Sequence, residues 1–115
     1  MHELGLMQQV VQILQASVQK EGLERVNYVK LVVGQMTAAQ PDALQFAFEV
    51  FASMENWLKG AVLEIEEREI KARCLDCGEL FTVVEYRFIC SECGSLNHEL
   101  ESGRELFIDY YEGDK

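Results

Sequence analysis

The segment Cys74-Leu-Asp-Cys77-Gly78, answered after a spacer by Cys90-Ser-Glu-Cys93-Gly94, decides how the chain is read. The spacing is C-x2-C-x12-C-x2-C, and it uses all 4 cysteines of the protein. Two thiolates two residues apart reach one metal ion from a single tight turn, and two such turns close a tetrahedral sulfur shell of the kind that suits Zn²⁺. The glycine after each pair fits a turn that aims backbone N–H groups at sulfur and favours positive φ. Iron in a rubredoxin-like site uses the same ligands, and spacing alone does not separate the two ions. A redox C-x-x-C would need one pair within a thioredoxin-like pattern, and paired disulfides would need an exported chain. The module between the cysteines holds few large apolar residues, namely Phe81, Val83, Val84, Phe88 and Ile89. Metal binding is therefore expected to supply much of its folding free energy, on the order of 10 kcal/mol.

Working outward, the chain has 115 residues, a size for one domain or for a small domain plus a satellite, and 49% hydrophobic content is ample for a core. The formal charge of −10 argues against a nucleic-acid partner, because phosphate contacts need basic patches. The cysteine module itself carries Asp76, Glu79, Glu85, Glu92 and Glu99 against Arg87. The start, Met1-His2-Glu3, has no basic and apolar leader, and no apolar run approaches the ~20 residues of a membrane span. A cytoplasmic chain with reduced cysteines and no membrane partner is the expectation.

Before the cysteines, Leu4, Met7, Val10, Val11, Leu14 and Val18 recur three or four apart from about Leu4 to Gln19, with glutamines on the other face. That is an amphipathic helix, with Gly22 as its stop. Arg25 to Val33, ending at Gly34, reads as a strand whose apolar second half suits a central position covered on both faces. Gln40-Pro41-Asp42 opens a second helix, which the apolar pattern carries through Trp57 and Leu58 to Lys59-Gly60. Val62 to Glu66 alternates and is expected to run on through Ile70, with Glu64, Glu66, Glu67 and Glu69 as a solvated face. Arg104 to Tyr111 is a third strand with no core of its own, so it belongs back on the first sheet. The expected fold is α+β. A small three-stranded sheet with two helices spans 1–71 and 101–115, and a zinc-ribbon module is inserted over 72–100.

The amino terminus has chemistry of its own. The Met1 amine, the backbone nitrogens of His2 and Glu3, and the His2 imidazole can surround one ion in a plane. A square-planar nitrogen set suits Ni²⁺ or Cu²⁺ and not Zn²⁺. A bulky second residue keeps Met1 in place, so His2 stays second. His98, just past the second knuckle, reads as a surface residue, since four cysteines already fill a shell.

Met1-His2-Glu3-Leu4, the Val33-Gly34 turn, the two C-x2-C-G knuckles and the closing apolar strand together resemble the hydrogenase maturation nickel metallochaperones, the HypA/HybF family, over essentially the whole chain. The resemblance implies a nickel-binding domain with an attached zinc ribbon. It implies Ni²⁺ as transient cargo held by the Met1 amine, His2 and the Glu3 backbone, and structural Zn²⁺ held by Cys74, Cys77, Cys90 and Cys93. It also implies delivery of nickel to the large-subunit precursor of a [NiFe]-hydrogenase together with an accessory GTPase, by a monomer or weak homodimer. Some relatives, including ones that serve urease, carry a histidine close behind each cysteine pair. Here Gly78-Glu79 follows the first pair, so neither a urease-linked nor a pH-sensing ribbon is implied. Two rivals remain at this point. A plain zinc-ribbon interaction module accounts for the cysteines but gives no reason for the start. A metalloenzyme would need a nucleophile set, H-E-x-x-H or an open zinc position, and none is present.

Overall fold

The computed structural model describes residues 2–115. Two helices and six strands follow in the order α1 (His2–Glu21), β1 (Arg25–Gly34), α2 (Pro41–Met54), β2 (Val62–Arg68), β3 (Lys71–Cys74), β4 (Leu80–Thr82), β5 (His98–Ser102) and β6 (Leu106–Asp114). They make two three-stranded sheets, ordered β2-β1-β6 and β4-β3-β5. The fold is α+β, with the cysteine-bearing sheet entered and left between β2 and β6. Two compact units result, one of residues 1–32, 39–66 and 107–115, the other of residues 33–38 and 67–106. The second takes in more chain than residues 72–100, because the β1–α2 connection and the segments flanking β3 and β5 cluster with the cysteines.

In the first unit, α1 buries Met7, Val10, Val11, Leu14 and Val18, the stripe its periodicity defines. The helix stops at Glu21, where Gly22 takes φ +69°, a left-handed value open to glycine without strain. The two helices pack on each other, and each is tied to the sheet. Ser17 Oγ and Tyr111 Oη are hydrogen-bonded at 2.7 Å, and Gln45 Nε2 donates to the Leu63 carbonyl at 2.7 Å.

Two sequence expectations need correction. First, α2 ends at Met54, and Glu55 is already extended (φ −123°, ψ 118°). Helix capacity does not run out there. The Trp57 carbonyl instead accepts the Val26 N–H at 2.7 Å, and Leu58 is fully buried. That strand contact requires the chain to leave the helix.

Second, β2 stops at Arg68 instead of running through Ile70. Ile70 is buried in the core of the second unit, and its carbonyl accepts the Val83 N–H at 2.8 Å. The chain must turn before it, and the residues that follow open a second sheet.

β1 is central, as expected, and its apolar second half is buried on both faces from Leu31 through Gly34. Tyr28 and Lys30 are half-buried on the face away from the core. There the Tyr28 hydroxyl donates to Glu64, and Lys30 bridges Glu66 at 3.2 Å and Asp109 at 3.8 Å. The glutamates of β2 thus form a solvent-facing ionic ladder. Among exposed residues such pairs contribute little each, about 0–1 kcal/mol.

In the second unit, Ala72 pairs with Phe81 of β4 and with Leu100 of β5. Ile70, Ala72, Cys74, Phe81, Val83 and Cys90 form its core, with Met36, Phe88 and Leu100 against it. Of the apolar residues singled out from the sequence, Val84 and Ile89 are exposed. So small a core cannot offset the ordering of some forty residues by apolar burial alone.

Gly34 is the tightest point in this unit. A Cβ built there would lie 2.1 Å from the Gly103 carbonyl oxygen and 2.7 Å from the Glu105 nitrogen, both backbone atoms that cannot swing aside. Gly34→Ala is expected to lower the unfolding free energy by about 3 kcal/mol or more, read as a lower thermal midpoint. Gly5→Ala on exposed α1, where nothing lies within 4 Å, should leave the midpoint unchanged or raise it slightly.

Candidate metal centre

Each cysteine pair sits on a tight turn with the same wiring. The Gly78 N–H donates to the Cys74 carbonyl at 2.9 Å, and the Gly94 N–H donates to the Cys90 carbonyl at 3.0 Å. The Cys74 N–H reaches the Glu79 carbonyl at 2.8 Å, and the Cys90 N–H reaches the Ser95 carbonyl at 2.9 Å. Gly78 and Gly94 adopt φ +81° and +74°, as the sequence reading of the knuckles requires.

This wiring points N–H groups at sulfur. Every sulfur accepts from the residue two positions on: Cys74 from Asp76, Cys77 from Glu79, Cys90 from Glu92 (3.4 Å) and Cys93 from Ser95. Such bonds favour thiolate and orient its lone pairs.

All four Sγ atoms lie within 4.8 Å of one another. Cys74 and Cys93 are 3.6 Å apart, and Cys77 and Cys90 are 3.5 Å apart. Disulfides would bring paired sulfurs to about 2.05 Å. A tetrahedron with metal–sulfur bonds of ~2.3 Å has edges of about 3.8 Å. The cage therefore has the dimensions of a closed four-sulfur metal shell, and the donor set is consistent with zinc. Cys74 and Cys90 are buried, Cys77 and Cys93 exposed.

Four anionic sulfurs this close repel, so protons and metal compete for them. The Cys77 N–H, helped by that of Asp76, holds the Cys74 thiol down to about 6. At Cys77 the Glu79 N–H pulls the same way, but the Cys90 sulfur and burial outweigh it and push the thiol up to about 12. At Cys93 the Ser95 N–H is likewise outweighed by the Cys74 sulfur and burial, and the thiol is raised. At neutral pH these contacts favour the thiolate at Cys74 and the protonated thiol at Cys77 and Cys93.

A clasp that the sequence did not disclose ties the two knuckles together. The Ser95 hydroxyl donates to Asp76 Oδ2, and Asn97 Nδ2 reaches Asp76 Oδ1 at 3.4 Å. The Leu75 N–H donates to the Asn97 carbonyl at 3.0 Å, and the Asn97 N–H to Ser95 Oγ at 3.0 Å. No local pattern marks these residues, because the contact spans 19 positions and depends on the closed fold. His98 lies on β5 opposite Cys74 in register, stacks on Phe88 at 4.7 Å, and turns Nδ1 to the Leu96 carbonyl at 2.8 Å. It is no part of the sulfur cluster.

At the other candidate site, His2 is exposed and is the first residue of α1. Glu3 is half-buried, and its Oε2 accepts the backbone N–H of Gln40 at 3.0 Å, at the entrance to α2. That donor holds the Glu3 carboxyl below its usual range. Met1 lies outside the described residues. Among the described residues, His2 and Glu3 belong to no cluster of ligating side chains, so a site there would depend on backbone nitrogen.

A small α+β protein that carries a four-cysteine metal knuckle is the class this architecture defines. A family model described as "Hydrogenase/urease nickel incorporation, metallochaperone, hypA" matches residues 1–113, and the chain belongs to that family. Among curated proteins, the hydrogenase maturation factor HypA of Moorella thermoacetica is 33% identical over 114 residues, covering 99% of this chain and 100% of that one. That of Desulfitobacterium hafniense is 39% identical over 112 residues, covering 97% of each. In fold, the chain resembles the solution structure of the Ni metallochaperone HypA from Helicobacter pylori, with a TM-score of 0.70 over 99% of this chain and 98% of that one, at 23% identity.

Metal uptake must expel the Cys77 and Cys93 protons, so apparent affinity should fall as pH drops and collapse near and below about 6, where Cys74 also takes a proton. Titration of reduced, metal-free protein with Zn²⁺ in weak buffer should show this proton release directly. Asp76→Ala opens the clasp without removing a ligand. It should speed metal transfer to a chromogenic chelator about tenfold while leaving the stoichiometry unchanged.

Proposed function

We propose that this protein is a nickel carrier. It takes up Ni²⁺ at its amino terminus and delivers it to the large-subunit precursor of a [NiFe]-hydrogenase, while zinc in the cysteine cage serves structure alone. The observation that carries the reading is the family match across residues 1–113, which includes Met1-His2-Glu3 and both knuckles. Family and fold imply a carrier and not an enzyme. Among the described residues no helix is long and apolar enough to cross a membrane. With reduced cysteines and a maturation role, we place the carrier in the cytoplasm.

The local structure supports the cargo site. His2 and Glu3 occupy the first turn of α1, where backbone N–H groups have no partner within the helix. Deprotonating those nitrogens to bind a metal therefore breaks no helical hydrogen bond. The imidazole of His2 is exposed, as an exchangeable ligand must be. The Glu3 carboxylate accepts the Gln40 N–H and its own residue's N–H and steadies the turn, so the Glu3 nitrogen would exchange that local bond for the ion. The ligand set is thus the Met1 amine, the His2 imidazole and backbone nitrogens, a planar set that suits Ni²⁺. Such a site is shallow and easily emptied, which a donor requires and an enzyme's resident metal does not.

The sulfur cage has the opposite design. Its four ligands leave no open position, which suits retention and not catalysis. Cys74, Cys77, Cys90 and Cys93 are the zinc ligands in this reading, and the two compact units divide the labour as nickel-binding and zinc domains. An accessory GTPase and the hydrogenase precursor are the partners.

His2→Ala should abolish Ni²⁺ binding while zinc content and thermal midpoint stay at parental values. A short extension ahead of Met1, which consumes the free amine, should do the same. Isothermal titration of zinc-loaded protein with Ni²⁺ measures both, and parental nickel affinity in either variant overturns the terminal site.

A further inference from the structure

The sheet of the first unit ends on β6, which pairs with β1 on one side and with no further strand among the described residues. An unpaired edge offers its N–H and C=O groups to any extended chain that can reach it. At the opposite edge the Leu63 carbonyl of β2 is already taken by Gln45. β6 runs over 9 residues with no proline.

Beside this strand lies a groove of 380 Å³, lined by Ile13, Leu14 and Ser17 of α1 and by Ile108, Asp109, Tyr110 and Tyr111. Successive strand residues point to opposite faces. Here Tyr111 turns to Ser17 of α1 while Asp109 and Tyr110 lie with Lys30 and Tyr28 on the other face, so a wall that takes in all of them follows the strand's edge. The groove runs alongside the open backbone.

Its apolar lining is accessible, since Ile13 is 64% exposed and Tyr110 46%. An exposed isoleucine on a helix otherwise patterned with glutamine on that side is poorly explained by folding. The charge is one-sided. β6 carries Asp109, Glu112 and Asp114 and no basic residue, in a chain of net charge −10.

We propose that the β6 edge and this groove dock an extended segment of a partner protein in which basic and apolar residues alternate. The segment adds a strand to the sheet, turns its apolar side chains toward Ile13 on the α1 side, and sets its cations on the other face, against Glu112 and beside the Asp109 carboxylate that Lys30 already approaches at 3.8 Å. Main-chain pairing supplies affinity in this mode, and the groove and the charges supply selectivity. A second copy of this chain is the wrong occupant, because β6 against β6 would place acidic residues opposite one another. The site is separate from the amino-terminal metal chemistry and stands whether or not nickel is the cargo.

The test uses the zinc-loaded full chain and three fluorescein-labelled eight-residue peptides at about 0.15 M salt, where long-range attraction is screened. One alternates valine and lysine, one has the same composition in two blocks, and one alternates valine and glutamate. The alternating basic peptide should bind at least ~10-fold more tightly than either control. It should also slow amide exchange within Ile108–Asp114. Ile13→Lys should weaken it by about tenfold, with the thermal midpoint unchanged because the side chain is exposed. Equal binding of the block peptide, unaltered exchange in β6, parental affinity in Ile13→Lys, or self-association through β6 in sedimentation would each overturn the proposal.

Discussion

Four sulfurs held within 4.8 Å of one another are the constraint on which the second unit depends. Left to themselves they repel once ionised, and the apolar core around them is too small to hold them. The fold answers with direction. Each sulfur accepts an N–H from two residues on, each knuckle closes on a left-handed glycine, and Asp76 clamps one knuckle to the loop that follows the other. These donors stabilise negative charge before any cation arrives, so the cage is built for an ion before it holds one.

In the proposed reading one chain would treat two cations differently. An ion in the cysteine cage would be surrounded by polarizable ligands, two of them buried, so its leaving would mean breaking a fold. The amino-terminal turn presents one exposed imidazole and backbone nitrogens outside the helical hydrogen-bond ladder, so an ion held there, in the proposed reading, would leave on reprotonation. Retention and release follow from ligand type and attachment and need no conformational machinery.

Much of this was legible in the residues themselves. The C-x2-C-G repeats fixed which four side chains would meet, since the contacts within each knuckle are local. The helix stripe from Met7 to Val18 and the apolar run of β1 reported burial and a central position faithfully. The α+β class and the family resemblance carried through as well. What escaped the sequence is non-local. Helix α2 ends where the Trp57 carbonyl is recruited by Val26, a partner roughly thirty residues back. The continuous strand expected from Val62 to Ile70 divides because Ile70 belongs to a different core from Leu63. The clasp at Asp76 joins residues that no periodicity links.

The pairing of Lys71 with Ser102 has a bearing on how the chain assembles. β6 must find β1 after an excursion over residues 69–105. Once β3 and β5 are zipped and the sulfurs closed on their ion, that excursion is pinched at its neck, and the free path shortens about fivefold. Loop-closure entropy grows as the logarithm of length, so the shortening is worth about 1–2 kcal/mol to the strand that completes the first sheet. An ion bound by one half of the molecule would thereby ease the topology of the other, with no ligand of its own there.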